Sequence, residues 1–275
     1  MFNRAAALAL VVATIETAAQ AQVSCGDRLD ALGTVRVLSV DASTTPRVGR
    51  KSFPETLPLA PKEVVLTFDD GPWPGTTPRI LDTLKNECVR ATFFLLGRNA
   101  IAHEDLARRE TAEGHTVAYH TFSHPLLGRM PLSAAKTEID RGFASIDNAV
   151  YGKTGAEPAI PFFRFPGFNS SPALLDYLEQ RRIVVFGADV WASDWLPMTA
   201  NQQLRLVFRR IEATHGALFS FTIQRPRLRP CSQVCCENLK ARDIGSFTWF
   251  LRPAHEAGFF EKIPMPDIHS GIIWG

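Results

Sequence analysis

From residue 64 to residue 221 the chain repeats one pattern: an apolar, β-branched run, a polar loop, an amphipathic stretch, then another apolar run. Strands are expected at 64–68, 91–96, 116–119, 161–165, 183–189 and 217–221, with an earlier one at 34–40. Helices are expected between them at 78–86, 100–113, 133–150, 172–180 and 202–214. Ser133 suits the N-cap of the third helix, and Pro172, after Ser171, opens the fourth. Regular alternation of this kind implies an α/β fold with parallel strands joined by helical crossovers. In such sheets the reactive groups collect at the carboxyl ends of the strands.

That rule gives a test of the loops. The first of the alternating strands runs Val64-Val65-Leu66-Thr67-Phe68-Asp69-Asp70-Gly71-Pro72, ending in two adjacent carboxylates and a Gly-Pro turn. Like charges repel and partial burial disfavours ionisation, so a cation beside the pair would remove a real cost. Alone, such a pair is more often one helix cap and one solvated side chain. After the third strand comes His120-Thr121-Phe122-Ser123-His124-Pro125. Two histidines four apart can meet on one face of a helical turn and hold one metal ion, although such a pair alone is more often surface or capping chemistry. Arg164-Phe165-Pro166-Gly167-Phe168 follows the fourth strand, and Asp189-Val190-Trp191-Ala192-Ser193-Asp194-Trp195 follows the fifth. Four polar loops at successive strand ends are hard to read as unrelated structural turns.

A formal charge of +2 is too small to suggest nucleic acid as a partner. Arg4, an apolar run over residues 5–15 and Ala19-Gln20-Ala21 read as a secretory signal with an A-x-A cleavage site. The run is too short to span a bilayer, so no stable membrane insertion is expected after cleavage. Export permits disulfides, and Cys25 and Cys88 could bridge the mature N-terminus to the body. With Cys231, Cys235 and Cys236 the cysteines number five, so at least one lacks an intramolecular partner.

The four motifs, in this order over residues 62 to 216, resemble those of the polysaccharide deacetylases of carbohydrate esterase family four, which includes the nodulation-type chitooligosaccharide deacetylases. The resemblance implies a distorted (β/α) barrel and a divalent metal, usually zinc, held by Asp70, His120 and His124. It implies an N-acetylated glycan as substrate. Three protein ligands leave positions open for water and for the acetyl carbonyl oxygen. Asp69, off the metal, would then be the general base, with Arg164 orienting it through a charge-assisted hydrogen bond. The resemblance also assigns the N–H of Gly167 to the oxyanion. An aromatic contact falls to Phe168, and Asp194 and Trp195 match the pair that positions a catalytic histidine and lines the acetyl pocket.

The pattern breaks at the last motif, where the family has a strand ending in Leu-x-His. Here Gly216-Ala217-Leu218-Phe219-Ser220-Phe221-Thr222-Ile223-Gln224 has no histidine at its end, and the α/β pattern is lost afterwards. His215, His255 and His269 do not sit at the right spacing. Residues 217–224 can be encoded GCA TTG TTC TCT TTC ACG ATA CAA, which one base out of phase reads I-V-L-F-H-D-T. In the same frame, residues 243–249 can be read as Y-R-I-V-H-V. A single-base frameshift near residue 216 would explain both matches. The expected organisation is therefore a signal at 1–21, a lead-in at 22–61, a deacetylase domain at 62–216 and an aberrant tail at 217–275, with the last strands missing or replaced.

The function expected is metal-dependent removal of N-acetyl groups from chitooligosaccharide or peptidoglycan-type glycans, impaired by the absent histidine. The alternatives are a non-catalytic carbohydrate- or metal-binding relative and an O-acetyl xylan esterase, which shares every motif. A metalloprotease is disfavoured because no Glu follows the first histidine as in H-E-x-x-H.

Overall fold

The computed structural model describes residues 31–223, apart from 35, 156 and 215, together with the backbone of residues 246–253. The signal segment, Cys25, the cysteines after 230 and the three histidines weighed for the last motif lie outside the described residues. Cys88 is disulfide-bonded. No helix among the described residues is long and apolar enough to cross a membrane.

The strands are β1 (Arg36–Val40), β2 (Arg47–Val48), β3 (Glu63–Asp69), β4 (Thr92–Leu95), β5 (Thr116–Tyr119), β6 (Phe162–Phe163), β7 (Val184–Phe186), β8 (Val190–Trp191), β9 (Gly216–Thr222) and β10 (Ser246–Pro253). Six α-helices connect them: α1 (Thr77–Asn86), α2 (Gly97–Ala102), α3 (Glu104–Ala112), α4 (Leu132–Ile146), α5 (Pro172–Gln180) and α6 (Ala200–Glu212). Every strand pair is parallel, in the order β8-β9-β3-β4-β5-β6-β7-β2, and the strands curl into the distorted barrel that the family resemblance implied.

β3 lies at the centre. All seven of its residues are buried, as expected for a parallel strand covered on both faces. β9 pairs with it along its whole length, from Glu63 opposite Gly216 to Asp69 opposite Thr222. β4 takes the other edge at Thr67 to Asp69, and β10 joins at Glu63 and Val64. Phe68 stacks on Phe93 of β4 at 5.2 Å and on Phe221 of β9 at 5.5 Å, so one aromatic row ties three strands together just below the rim. At the other end of β3, buried Glu63 accepts two bonds from Arg36, at 2.7 and 2.8 Å, which fixes β1 beneath the barrel.

Several boundaries differ from expectation. The helix expected at 100–113 breaks at His103 into α2 and α3, because Glu104 and Asp105 favour a new N-terminus there. Helix α4 starts at Leu132 with Pro131 in the N-cap position, so Ser133 lies within its first turn and caps nothing. Helix α6 starts earlier than expected, through a reciprocal capping box between Thr199 and Gln202. Ser171 does hold the N-cap position of α5, without a side-chain bond. The lead-in is no separate segment, since β1 pairs with β10 and β2 with β7. The strand expected at 217–221 is present as β9, seven residues long, with Thr222 and no histidine at its end.

Candidate functional site

Asp69 closes β3, and Asp70 immediately turns into the left-handed region at φ +71°. Left-handed backbone is unfavourable for any residue with a Cβ, so a cluster of such residues marks a place held by its surroundings. Thr121 (φ +73°), His124 (φ +70°), Phe168 (φ +55°) and Ser193 (φ +55°) share it, and all lie in loops that follow strands. The side-chain amide of Asn99 holds the turn by donating to the Asp70 carbonyl at 2.8 Å. Neither carboxylate caps the next helix, because α1 begins at Thr77 with Thr76 before it.

The histidines do not meet on a helical turn as expected. Residues 120–126 form an irregular loop, in which the Thr121 hydroxyl accepts the His124 N–H at 3.1 Å. Glycine at 142 lets α4 reach this loop, since a Cβ there would lie 2.6 Å from the Thr121 carbonyl carbon. The outcome brings both Nε2 atoms to one oxygen: His120 at 3.3 Å and His124 at 3.1 Å from Asp70 Oδ1.

The Nδ1 of His120 lies 2.8 Å from the Arg164 carbonyl, which can only accept, so that nitrogen carries a proton and Nε2 is the one turned toward Asp70. Asp70 Oδ1 is buried and receives no other donor. Burial alone would raise the Asp70 pKa, but the two imidazoles hold the carboxyl well below its usual range. Burial lowers the His124 pKa and the carboxylates of Asp70 and Asp69 raise it, with a net rise. The three ligand atoms lie within 4.8 Å of one another, forming a possible metal site. Two nitrogens and one carboxylate oxygen around a buried, otherwise unsatisfied atom fit a divalent ion of the zinc type.

Asp69 has different partners. Its Oδ1 accepts from Arg164 Nη1 at 2.7 Å and its Oδ2 from the Ser220 hydroxyl at 2.9 Å. Arg164 is fully buried and nearly saturated: it also donates to Thr67 Oγ1 at 2.6 Å and to the carbonyls of Gly187 and Phe186 at 2.8 and 3.3 Å. Its guanidinium lies 4.2 Å from the Phe94 ring centroid. Burial pulls its pKa down and Asp69 pushes it back up.

Gly167 also has left-handed backbone (φ +57°), and the ring of Phe168 stacks on Trp191 at 5.4 Å. Trp191 in turn lies 6.2 Å from Trp195, whose surface is 47 % exposed. These rings form an accessible aromatic ledge. Asp194 is buried beside them. Its Oδ2 accepts the Thr222 N–H at the end of β9 at 2.7 Å, and its Oδ1 has no partner. Burial raises its pKa to about 7, the Thr222 contact opposes the rise, and the Asp69 charge adds to it.

The structure thus joins Asp70 to His120 and His124 and Asp69 to Arg164, links the two groups through His120 and the Arg164 carbonyl, puts Phe168 at 5.9 Å from Arg164, and sets Asp194 across the end of β9. Sequence reasoning missed Ser220 and Thr67. Their signal was register: Ser220 stands opposite Thr67, two residues before the rim, and its hydroxyl reaches Asp69. It also missed Trp191. Asp189, included in the expected loop, serves the scaffold instead: it accepts from Arg50 N, Thr56 Oγ1 and Leu218 N, fastening the N-terminal segment to β9.

Residues 57–185 match the family described as polysaccharide deacetylase. The chain is 46 % identical over 209 residues to a chitooligosaccharide deacetylase of Bradyrhizobium, covering 76 % of this chain and 91 % of that protein. It is 41 % identical over 157 residues to a peptidoglycan-N-acetylglucosamine deacetylase of Listeria monocytogenes, covering 57 % of this chain but only 31 % of that longer protein. Among solved structures, a peptidoglycan deacetylase of Bdellovibrio bacteriovorus superposes with a TM-score of 0.66 at 24 % identity, over 80 % of this chain and 59 % of that one. The fold, the motif order and near full-length similarity to the Bradyrhizobium protein agree: the chain belongs to the polysaccharide deacetylase family.

Proposed function

We propose that the protein is an exported, metal-dependent hydrolase that removes N-acetyl groups from N-acetylglucosamine units in a chitooligosaccharide or peptidoglycan-type glycan. The observation that carries this is the pairing of two carboxylates with opposite surroundings: Asp70 among imidazoles with an unsatisfied oxygen, Asp69 against a buried guanidinium. Asp70, His120 and His124 would hold the ion, with zinc favoured by the donor set. When bound, it would polarise the acetyl carbonyl and acidify a water. Asp69 would take that water's proton, with Arg164 and Ser220 fixing its carboxylate in one orientation. The Gly167 N–H would stabilise the developing oxyanion. Phe168, Trp191 and Trp195 would offer the sugar ring an apolar face. Acetate release from N-acetylglucosamine oligomers by the zinc-loaded full chain, absent in Asp69→Asn, is expected; no release, or release that survives the substitution, sinks the reading.

The missing histidine at the end of β9 favours a second reading, a relative that binds glycan or metal without turnover. In the same region we read the sequence from about 217 onward as the product of a single-base frameshift. Determining the DNA across codons 210 to 275 tests this, and codons that encode no histidine-ending strand in another frame refute it.

A further inference from the structure

Asp194 is a buried carboxyl group with one oxygen bonded and the other bare. Among the described residues no cation bonds it, and its Oδ1 has no partner of any kind. Its place is informative. Asp69 stands directly opposite Thr222 in the β3–β9 register, and the Thr222 N–H is the group that Asp194 accepts. The two carboxylates therefore flank the same strand end, one from β3 and one from the loop after β8. Asp69 is bound to Arg164 and Ser220, which favours the charged form that accepts a proton. For Asp194, burial and the Asp69 charge keep the proton on to higher pH, and the backbone and hydroxyl of Thr222 with its own amide oppose them, with a net rise. Arg210 of α6 reaches the same loop, but its Nη1 bonds the Trp191 carbonyl and the Ser193 hydroxyl, both at 2.7 Å, and Arg164 bonds Asp69.

We propose that Asp194 is itself the proton donor to the leaving amine in this chain, taking the step that a histidine at the end of β9 would otherwise take. The inference rests on the deacetylase reading. Asp69 accepts a proton from water as the water oxygen bonds to the acetyl carbon and the carbonyl π pair moves onto oxygen. When that pair returns, the C–N bond breaks, its electrons remain on nitrogen, and nitrogen takes the Asp194 proton. Acetate and a free amine leave, Asp69 gives its proton to solvent, and Asp194 regains one. The balance is one amide and one water consumed, one amine and one acetic acid formed. A carboxyl group with its pKa at about 7 is matched to such a transfer near neutral pH.

The test uses the zinc-loaded full chain, two substrates and one spectroscopic titration. N-acetylglucosamine oligomers need a protonated leaving nitrogen, whereas p-nitrophenyl acetate has a leaving group that departs as an anion. Asp194→Asn is expected to lose on the order of 10²- to 10⁴-fold in acetate release from the oligomers while hydrolysing the aryl ester within a few fold of wild type. Wild-type activity on the oligomers should fall with rising pH at the midpoint at which the Asp194 carboxyl, followed by 13C NMR and identified by its loss in Asp194→Asn, titrates. The proposal is overturned if the variant keeps its amide activity, if both substrates suffer equally, or if the Asp194 signal titrates in the ordinary carboxylate range. If wild type and Asp69→Asn both release no acetate, the deacetylase reading fails instead, and the donor role with it.

Discussion

Asp69 and Asp194 are almost equally buried, at 7 % and 8 % exposure, and face the same strand end, yet their surroundings are opposites. Asp69 sits in one half of the site, where a buried guanidinium, hydroxyls from β3 and β9 and backbone carbonyls form a closed network around it. Asp194 sits in the other half, on the loop after β8, bonded to Thr222 and with one oxygen lacking a partner among the described residues. Burial therefore does not decide the charge of a carboxyl group; the donors buried with it do.

The largest expected effect would break the closed half. Arg164→Met removes the only cation bonded to Asp69 among the described residues and leaves a buried charge uncompensated. A loss of about 3–5 kcal/mol in urea unfolding is expected, and a loss below 1 kcal/mol would show that water already relieves Asp69. The open half should respond to pH in the reverse sense to an ordinary salt-bridged carboxylate. A folded pKa of about 7 against an ordinary 3.8 means the folded state holds the proton longer. Stability therefore falls as pH rises from about 4 to 7, by on the order of 4 kcal/mol, and no further above. Asp194→Asn should remove that slope, so the gap between variant and wild type widens across this window; parallel curves would contradict it. Asp70, held low by its imidazoles, has the opposite sign, contributing above pH 4 and losing that contribution in acid.

Smaller effects sharpen the comparison at its edges. Trp195→Ala should raise KM for the oligomers roughly 5- to 10-fold with kcat nearly kept, because its exposed ring offers contact with substrate rather than chemistry. An unchanged KM would place the glycan elsewhere. Thr199→Ala, on the capping box of α6, should cost about 1 kcal/mol of stability without altering acetate release, since its bonds stay within the helix start.

Much of this was legible in the sequence, for physical reasons. The buried strands read clearly because parallel strands covered on both faces are apolar runs, and β5 and α5 fall at the residues expected. Asp69, Asp70, His120, His124 and Arg164 were visible because strand ends are where such a sheet gathers polar groups. The loop that joins the histidines was misread as a helical turn, since left-handed Thr121 and His124 leave no mark in composition and depend on the close approach of Gly142. Ser220 was invisible because its role comes from register across β3 and β9, between residues 151 positions apart. Likewise β2 and β8, two residues each, are too short to carry a pattern.

The division of labour between the adjacent carboxylates is the central claim, and one paired measurement tests it. Zinc affinity by calorimetry and acetate release are measured together for the full chain, Asp69→Asn and Asp70→Asn. Asp69→Asn is expected to bind zinc nearly as wild type does while releasing acetate at least about 100-fold more slowly, and Asp70→Asn to lose both. Zinc binding lost in Asp69→Asn, or kept in Asp70→Asn, would contradict it.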